Sequence, residues 1–468
     1  MSGTQPTAPK PIFKPFSTGK NGTGLQRVRL KRDIDAMTMA EDCPADPGAA
    51  ARGRMAGGDP AGAATRPWLV MAGLVVPINI MMALDKNSFA LAAPMIGHAL
   101  KLDYVQVSTV IAALTWSYAI MQLPSGWLVS HLGPHRTLGW ACMAWSAVTI
   151  GMPWASGFVS FLVFRIAMGT FQAADWSASV TAVHDWFAPA KRSRGNAVLL
   201  GCLYFGSTLS GPLTTQAVTL IGWRHCLHMF GVVGLVLSTL WLLVYRDGPY
   251  RGPRDDPPRL SRRAFATLLC SPRLWAIGAF YFCALSMQSF YHVNLPHYLM
   301  SARHLSYNAM GWVFALPWLC LYLSVVASGF ASDAILRRSG SPFKARAVFG
   351  AAGAALSALS LEAAAYCDSN LAAITLLCVA LAALGMCQVA IWSLAQGLTR
   401  RFSGVVVGWT GFWGNVAAGS MPILISRMLG HGASWGAALA VPCALGLLGA
   451  GFCLIAGREG QKPLLDDL

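Results

Sequence analysis

Asp85 and Lys86 stand side by side in a stretch, Trp68 to Pro94, that carries no other charge. At 1.5 Å per residue this stretch makes a helix of roughly 40 Å, longer than a hydrocarbon core of about 30 Å. Ionisable groups at that depth are costly, so they face a partner or a water-filled cavity. A second cation, Arg165, lies in another apolar stretch, with Gln172 two turns along nearly the same helix face. Arg165 keeps its proton, and its planar fork matches a carboxylate. Lys86 and Arg165 together would offer an anion two positive charges in mid-membrane. Neighbours on a helix do not face each other, so Asp85 and Lys86 turn to different partners. A substrate that draws Lys86 or Arg165 away from Asp85 would leave that carboxylate to load a proton. The structural alternative is an Arg165–Asp85 bridge between helices; a bridge that substrate breaks and re-forms serves both readings.

The composition supplies the spans that must carry these side chains. Of 468 residues, 55% are hydrophobic and only 12% charged, about half the charged share of soluble domains. Apolar runs divide the chain near 68–97, 105–129, 136–154, 157–184, 194–219, 224–245, 273–300, 307–333, 345–366, 370–396, 403–427 and 433–457. The reading is an all-α membrane protein with twelve transmembrane helices in two six-helix bundles. Of the 35 Lys and Arg, only Lys101, Arg224, Arg303 and Arg427 fall at the turns of one side, and only Lys86 and Arg165 fall within spans. The rest lie on the side of both termini, which places them in the cytoplasm of a cell (inner) membrane. The net charge of +16 then faces anionic lipid headgroups and not nucleic acid. The twelve cysteines show no metal-ligand spacing and read as small packing residues. No cofactor or metal is expected, and no nucleophile with its base or phosphate-cradling loop indicates an enzyme.

Residues 1–66 read as a disordered cytoplasmic tail without a signal peptide. An N-terminal bundle over 67–245, a cytoplasmic linker over 246–272, a C-terminal bundle over 273–457 and a tail over 458–468 complete the division. Two equal halves suggest a parallel repeat. Gly126–Ser130 at the end of the second span matches Gly329–Asp333 at the end of the eighth, 203 residues later. The same offset carries Asp85 to Gln288, so the seventh span has no counterpart to the charged pair.

The residues around these positions resemble one family. Asp85-Lys86, Trp116-Ser117-Tyr118, Gln122 with Pro124, Gly126-Trp127 and Gly133 to Arg136 are similar to the anion:cation symporters of the major facilitator superfamily. Arg165 with Gly169, Asp185-Trp186-Phe187, Arg192 or Arg194, Pro212 and Gly222-Trp223-Arg224 continue the match. The resemblance implies the major facilitator fold, a central cavity and alternating access, moving a small organic carboxylate inward with a proton. It makes Lys86, Arg165, Tyr118 and Gln172 substrate-binding residues, and Gly126, Gly133, Arg136, Gly329 and Asp333 conformational ones. Similar carriers have a titrating Glu where this chain has Gln172, which leaves Asp85 as proton carrier, with Asp175 one turn on as a second candidate. Ser130 replaces an acid that steadies one conformation in relatives. From the second half, Tyr291, Asn294, Trp392 and Asn415 are candidates to line the site, with His292 and Gln388 beside them. Sugar-acid carriers place amides on the fifth and eleventh spans; here those positions fall near Leu203 and Gly411, favouring a less hydroxylated acid. A monomer in contact with lipid, the anion and a proton is expected. A uniporter or exchanger, and a transporter-like receptor without flux, remain the alternatives.

Overall fold

The computed structural model describes residues 67–188, 191–250, 267–339, 342–398 and 403–458. Lipid leaves backbone polar groups no outside partner, so apolar spans become helices that satisfy themselves. Among the described residues there is no strand. α1 runs Pro67–Leu100 and includes a π-helical turn at Met71–Val75. The helical run Tyr104–Gly151 breaks at Gly133, where φ is 79° and ψ 167°; its arms are α2 and α3. α4 is Phe158–Trp186. The run Arg192–Val244 breaks in the same way at Gly222, φ 79° and ψ 157°, into α5 and α6. Positive φ suits glycine, so a single Gly makes each tight turn. α7 begins at Pro272–Ser289, passes through a π-helical turn at Phe290–Asn294, and ends with Leu295–Ser301. α8 (Tyr307–Ser339), α9 (Pro342–Tyr366), α10 (Asn370–Leu398), α11 (Ser403–Gly430) and α12 (Trp435–Ala456) complete twelve helices among the described residues.

These helices form two apolar cores. One gathers Phe89, Trp145, Phe161 and Trp241 from α1 to α6. The other gathers Phe280, Phe314, Leu381 and Leu439 from α7 to α12. Small residues let backbones approach closely where lipid gives no hydrophobic drive for association. A Cβ at Gly169 of α4 would overlap the Leu114 carbonyl and Ser117 hydroxyl of α2. Between the halves, one at Gly211 of α5 would overlap the Gly311 carbonyl of α8. Across that divide α5 packs on α8 and α2 on α11.

The 203-residue offset recurs in the backbone. Lys101 after α1 and His304 after α7 both take φ 54° and are the two non-glycine residues with positive φ among those described. It recurs again where the halves close. We call distal the face that carries these two turns, and proximal the face where α1 begins. Near the distal face the Tyr307 hydroxyl donates to the Leu91 carbonyl at 3.1 Å, and Asn294 Nδ2 donates to the Tyr104 hydroxyl at 2.6 Å. Tyr104 and Tyr307 are 203 residues apart, and so are Leu91 and Asn294. Thr219 donates to Asn308 Oδ1 at 2.9 Å, and His297 stacks on Tyr104 at 3.9 Å between centroids. These contacts tie the two halves together at the distal face, and we call them the distal seal.

On the proximal side, Gly133 turns α2 into α3, and Trp241 Nε1 of α6 donates to the His135 carbonyl beside it at 2.9 Å. Arg136 is exposed there. A Cβ on Gly126 would meet open space. Gly329 and Asp333 sit on α8, but their side chains lie outside the described residues, as do 1–66, 251–266 and 459–468 of the expected tails and linker.

The α2–α4 approach yields a direct test. Gly169→Ala should destabilise by about 1–3 kcal/mol, read as a lowered thermal midpoint in detergent. An unchanged midpoint would show that the two helices part freely.

Candidate functional site

Between the halves lies a cavity of about 1160 Å³, open solvent at its mouth included. α1, α2, α4 and α5 line it from one half, and α7, α8, α10 and α11 from the other. Lys86 is the only formally charged residue among the described residues of its wall; no carboxylate is among them. Its Nζ lies 5.9 Å from the centroid of the Tyr118 ring. The remaining polar lining is mostly amide: Gln122, Gln172, Gln288, Gln388 and Asn415. Gln388 Nε2 donates to Gln288 Oε1 at 3.0 Å. Asn415 Nδ2 lies 3.4 Å from Gln122 Oε1 across the halves and donates to the Gly411 carbonyl at 2.9 Å. Both amide atoms of Gln172 are buried without a hydrogen-bond partner. Trp176, Trp318 and Trp392 supply flat apolar walls. Such a site can hold a small anion at one pole and hydrogen-bond hydroxyls or carboxylates along its length.

The expected pairing of Lys86 with Arg165 in one pocket is not what the geometry gives. Arg165 is 1% exposed and outside the cavity wall. Its guanidinium lies 4.9 Å from the Phe89 ring centroid, and Nη1 is 3.6 Å from Met168 Sδ. It shares the face of Gln172 but sits two turns, roughly 10 Å, nearer the distal side, where the packing has closed over it. Asp85 is equally buried, and neither carboxylate oxygen has a hydrogen-bond partner. The Arg165–Asp85 bridge is thus not formed by hydrogen bonds here. Successive residues turn by about 100° on a helix, so Lys86 reaches the cavity while Asp85 points into the first half.

Asp175 also lies outside the cavity wall, fully buried. Ser179 donates to its Oδ1 at 3.5 Å and accepts from Asn79 Nδ2 at 3.0 Å, a polar chain joining α4 to α1. Tyr291 and Asn294 are likewise not lining residues. The Tyr291 hydroxyl donates to the Leu377 carbonyl of α10 at 3.0 Å, and Asn294 belongs to the distal seal. The π-helical turn that contains both changes the angular register of α7, so of Tyr291, His292 and Asn294 only His292 faces the cavity. Tyr118, Gln172, Trp392 and Asn415 line the cavity together with Lys86.

Tyr281, Trp318 and Gln122 are lining residues that the sequence reading did not single out as binding groups. A helical signal was present for two of them. Gln122 follows Tyr118 by one turn, and Tyr281 precedes Gln288 by two. Leu203 and Gly411 do line the cavity without amides, yet Asn415 reaches it one turn beyond Gly411 on α11, and four more amides reach it from α2, α4, α7 and α10. The expected amides Gln172, Gln388 and Asn415 are thus joined in the wall by Gln122 and Gln288.

A profile of the Major Facilitator Superfamily matches residues 75–422. The probable galactarate/D-glucarate transporter GudP of Bacillus subtilis is 26% identical over 404 residues, covering 80% of this chain and 88% of that protein. The probable sulfoacetate transporter SauU of Cupriavidus necator is 23% identical, covering 77% of this chain and 87% of its own length. The D-galactonate transporter of Escherichia coli O6:H1 is 23% identical, covering 84% and 96%. Among solved structures, a bacterial homolog of the human lysosomal transporter Spinster, in an inward-facing and unoccupied conformation, superposes with a TM-score of 0.68. It shares 15% identity and covers 86% of this chain and 98% of its own, a likeness of fold. With three quarters of its length inside the family profile, and with two helical halves around one cavity, this chain belongs to the Major Facilitator Superfamily.

Proposed function

We propose that the protein imports a small organic carboxylate across a cell membrane by proton symport, working as a monomer through alternating access. The observation that carries this reading is the cavity wall, in which Lys86 is the one formal charge among the described residues and amides supply most other polar groups. A site so built attracts anions, and among its described residues it offers an organic cation no carboxylate. The names of the three relatives, all acids, point the same way.

In this reading Lys86 holds the carboxylate and Tyr118 flanks it. Gln172, Asn415 and the Gln288–Gln388 pair take hydroxyls or a second acid group, with Trp392 as a flat wall. The basic residues of the proximal side make it the cytoplasmic face, so a distally sealed cavity faces inward. Asp85 carries the proton, with Arg165 as the counter-charge it meets and leaves as the halves rock; Asp175 is the reserve carboxylate. The turns at Gly126, Gly133 and Arg136, and at Gly329 and Asp333, accommodate the rocking. Lipid headgroups bind the basic face, and nucleic acid has no part.

A second reading, a uniporter or exchanger of the same anion, draws on Gln172, a neutral amide that cannot titrate.

Two measurements decide between them. Lys86→Met should weaken binding of D-glucarate or D-galactonate by about 10- to 100-fold, the loss of a charge-assisted hydrogen bond, in calorimetry on purified protein. Binding equal to the parent's would remove Lys86 from the site. In proteoliposomes, external acid should drive accumulation by about tenfold per pH unit for one proton per anion. With the monoanion D-galactonate, Asp85→Asn should abolish that drive, and gradient-driven uptake of D-galactonate that survives the change would rule Asp85 out as carrier.

A further inference from the structure

His292 occupies the middle of the π-helical turn of α7, in the cavity wall. Its Nδ1 lies 2.9 Å from the Oδ1 of Asn87 in the opposite half, and its ring centroid is 4.3 Å from that of Trp318. Asn87 is 1% exposed, and its Nδ2 has no hydrogen-bond partner. With the amide oxygen facing the ring, Nδ1 carries a hydrogen and donates it. The imidazole is thereby fixed, and Nε2 is the nitrogen left to meet a ligand. Asn87 directly follows Lys86 in the chain. The single hydrogen bond therefore brings a group of the second half beside the cavity's cation on the first.

A neutral imidazole held in this tautomer turns a lone pair on Nε2 toward the cavity and repels an anion. Protonated, it becomes an N–H donor with a positive charge. The surroundings offer little else that titrates. α1 contributes Lys86, α2 Tyr118, α5 Tyr204 and α7 itself Tyr281. α8 presents the indole of Trp318, and α4, α10 and α11 present the amides Gln172, Gln388 and Asn415. No carboxylate shares the described wall to neutralise a second cation, so a second negative charge must come from the ligand.

We propose that His292, as an imidazolium held by Asn87, is the second anion-binding group of the cavity, so that a dianionic substrate bridges Lys86 and His292 and takes up a proton as it binds. This rests on the anion-binding reading above and specifies its substrate class. It adds a proton in the cavity itself, independent of the one assigned to Asp85. It also links ligand to conformation, because the bridge spans the two halves next to the distal seal.

The test is the pH dependence of binding on purified full-length protein, with D-glucarate as dianion and D-galactonate as monoanion. The parent should bind D-glucarate more tightly as pH falls to about 5, as the imidazole gains its proton together with the dianion. Its preference for D-glucarate over D-galactonate should widen in the same direction. His292→Gln should flatten both profiles, while His292→Arg, whose guanidinium keeps its proton across this range, should restore tight binding at the alkaline end. Equal slopes in the parent and His292→Gln, with both proteins showing cooperative thermal unfolding, would overturn the assignment and leave the anion site standing. Failure of the parent to bind either acid at any pH would overturn the anion reading and this inference with it.

Discussion

A charge inside a bilayer must face something polar, and a helix turns successive residues about 100° apart. Those two facts organise the first half of this protein. Asp85 and Lys86 are adjacent, so they cannot share a destination. Lys86 takes the cavity. Asp85 takes the interior of the first half, where Arg165 and Phe89 also lie. The arrangement keeps the carboxylate out of the anion's reach, which an anion site requires, because an acid in the wall would cancel the attraction of Lys86. Several buried polar atoms of α1 and α4 lack hydrogen-bond partners: both Asp85 oxygens, Arg165 Nε, both amide atoms of Gln172 and Asp175 Oδ2. Each such group costs on the order of 1–3 kcal/mol. Structures retain that cost where a function uses it, and these all belong to α1 and α4.

The distal seal is built differently. Its hydrogen bonds are neutral and nearly symmetric: Tyr307 to residue 91 and residue 294 to Tyr104, each pair carried into the other by the same offset. Interhelical hydrogen bonds within membranes contribute about 0.6 kcal/mol on average. The four described here, counting Thr219–Asn308 and His292–Asn87, then sum to roughly 2–3 kcal/mol. That is the scale of a two-state equilibrium that a ligand can shift. A seal of buried ion pairs would be far harder to open, since separating one strands a charge. The repeat thus supplies a latch that holds either half by equivalent positions and yields without stranding an ion.

Much of the fold could be read in the amino-acid order because its signals are local. Apolar runs fix the spans, Gly133 and Gly222 mark turns that only a glycine makes cheaply, and the offset between Gly126 and Gly329 also relates Lys101 to His304. The site was legible where helical spacing alone decides it, as for Lys86 and Tyr118. It was not legible where depth or register decides. Arg165 shares the face of Gln172 yet lies above the cavity, because sequence does not say at what height the halves meet. Tyr291 and Asn294 were misplaced because nothing in the order of α7 announces a π-helical turn. Of the five amides in the wall, Gln172, Gln388 and Asn415 were legible from their places on the spans, and Gln122 and Gln288 were not.

The departure at Gln172 looks like a loss when α4 is considered alone. Set beside the cavity wall, it has another effect. An ionised carboxylate at that position would face the same space as Lys86 and weaken its hold on an anion by Coulomb attraction between the two. An amide leaves the full charge of Lys86 for the ligand and adds a hydrogen-bond donor that a carboxylate lacks. A site of this kind gains affinity for anions and gives up a titrating group. Proton coupling, if it is to accompany the anion, then falls to groups elsewhere: to Asp85 behind the wall, or to an imidazole within it.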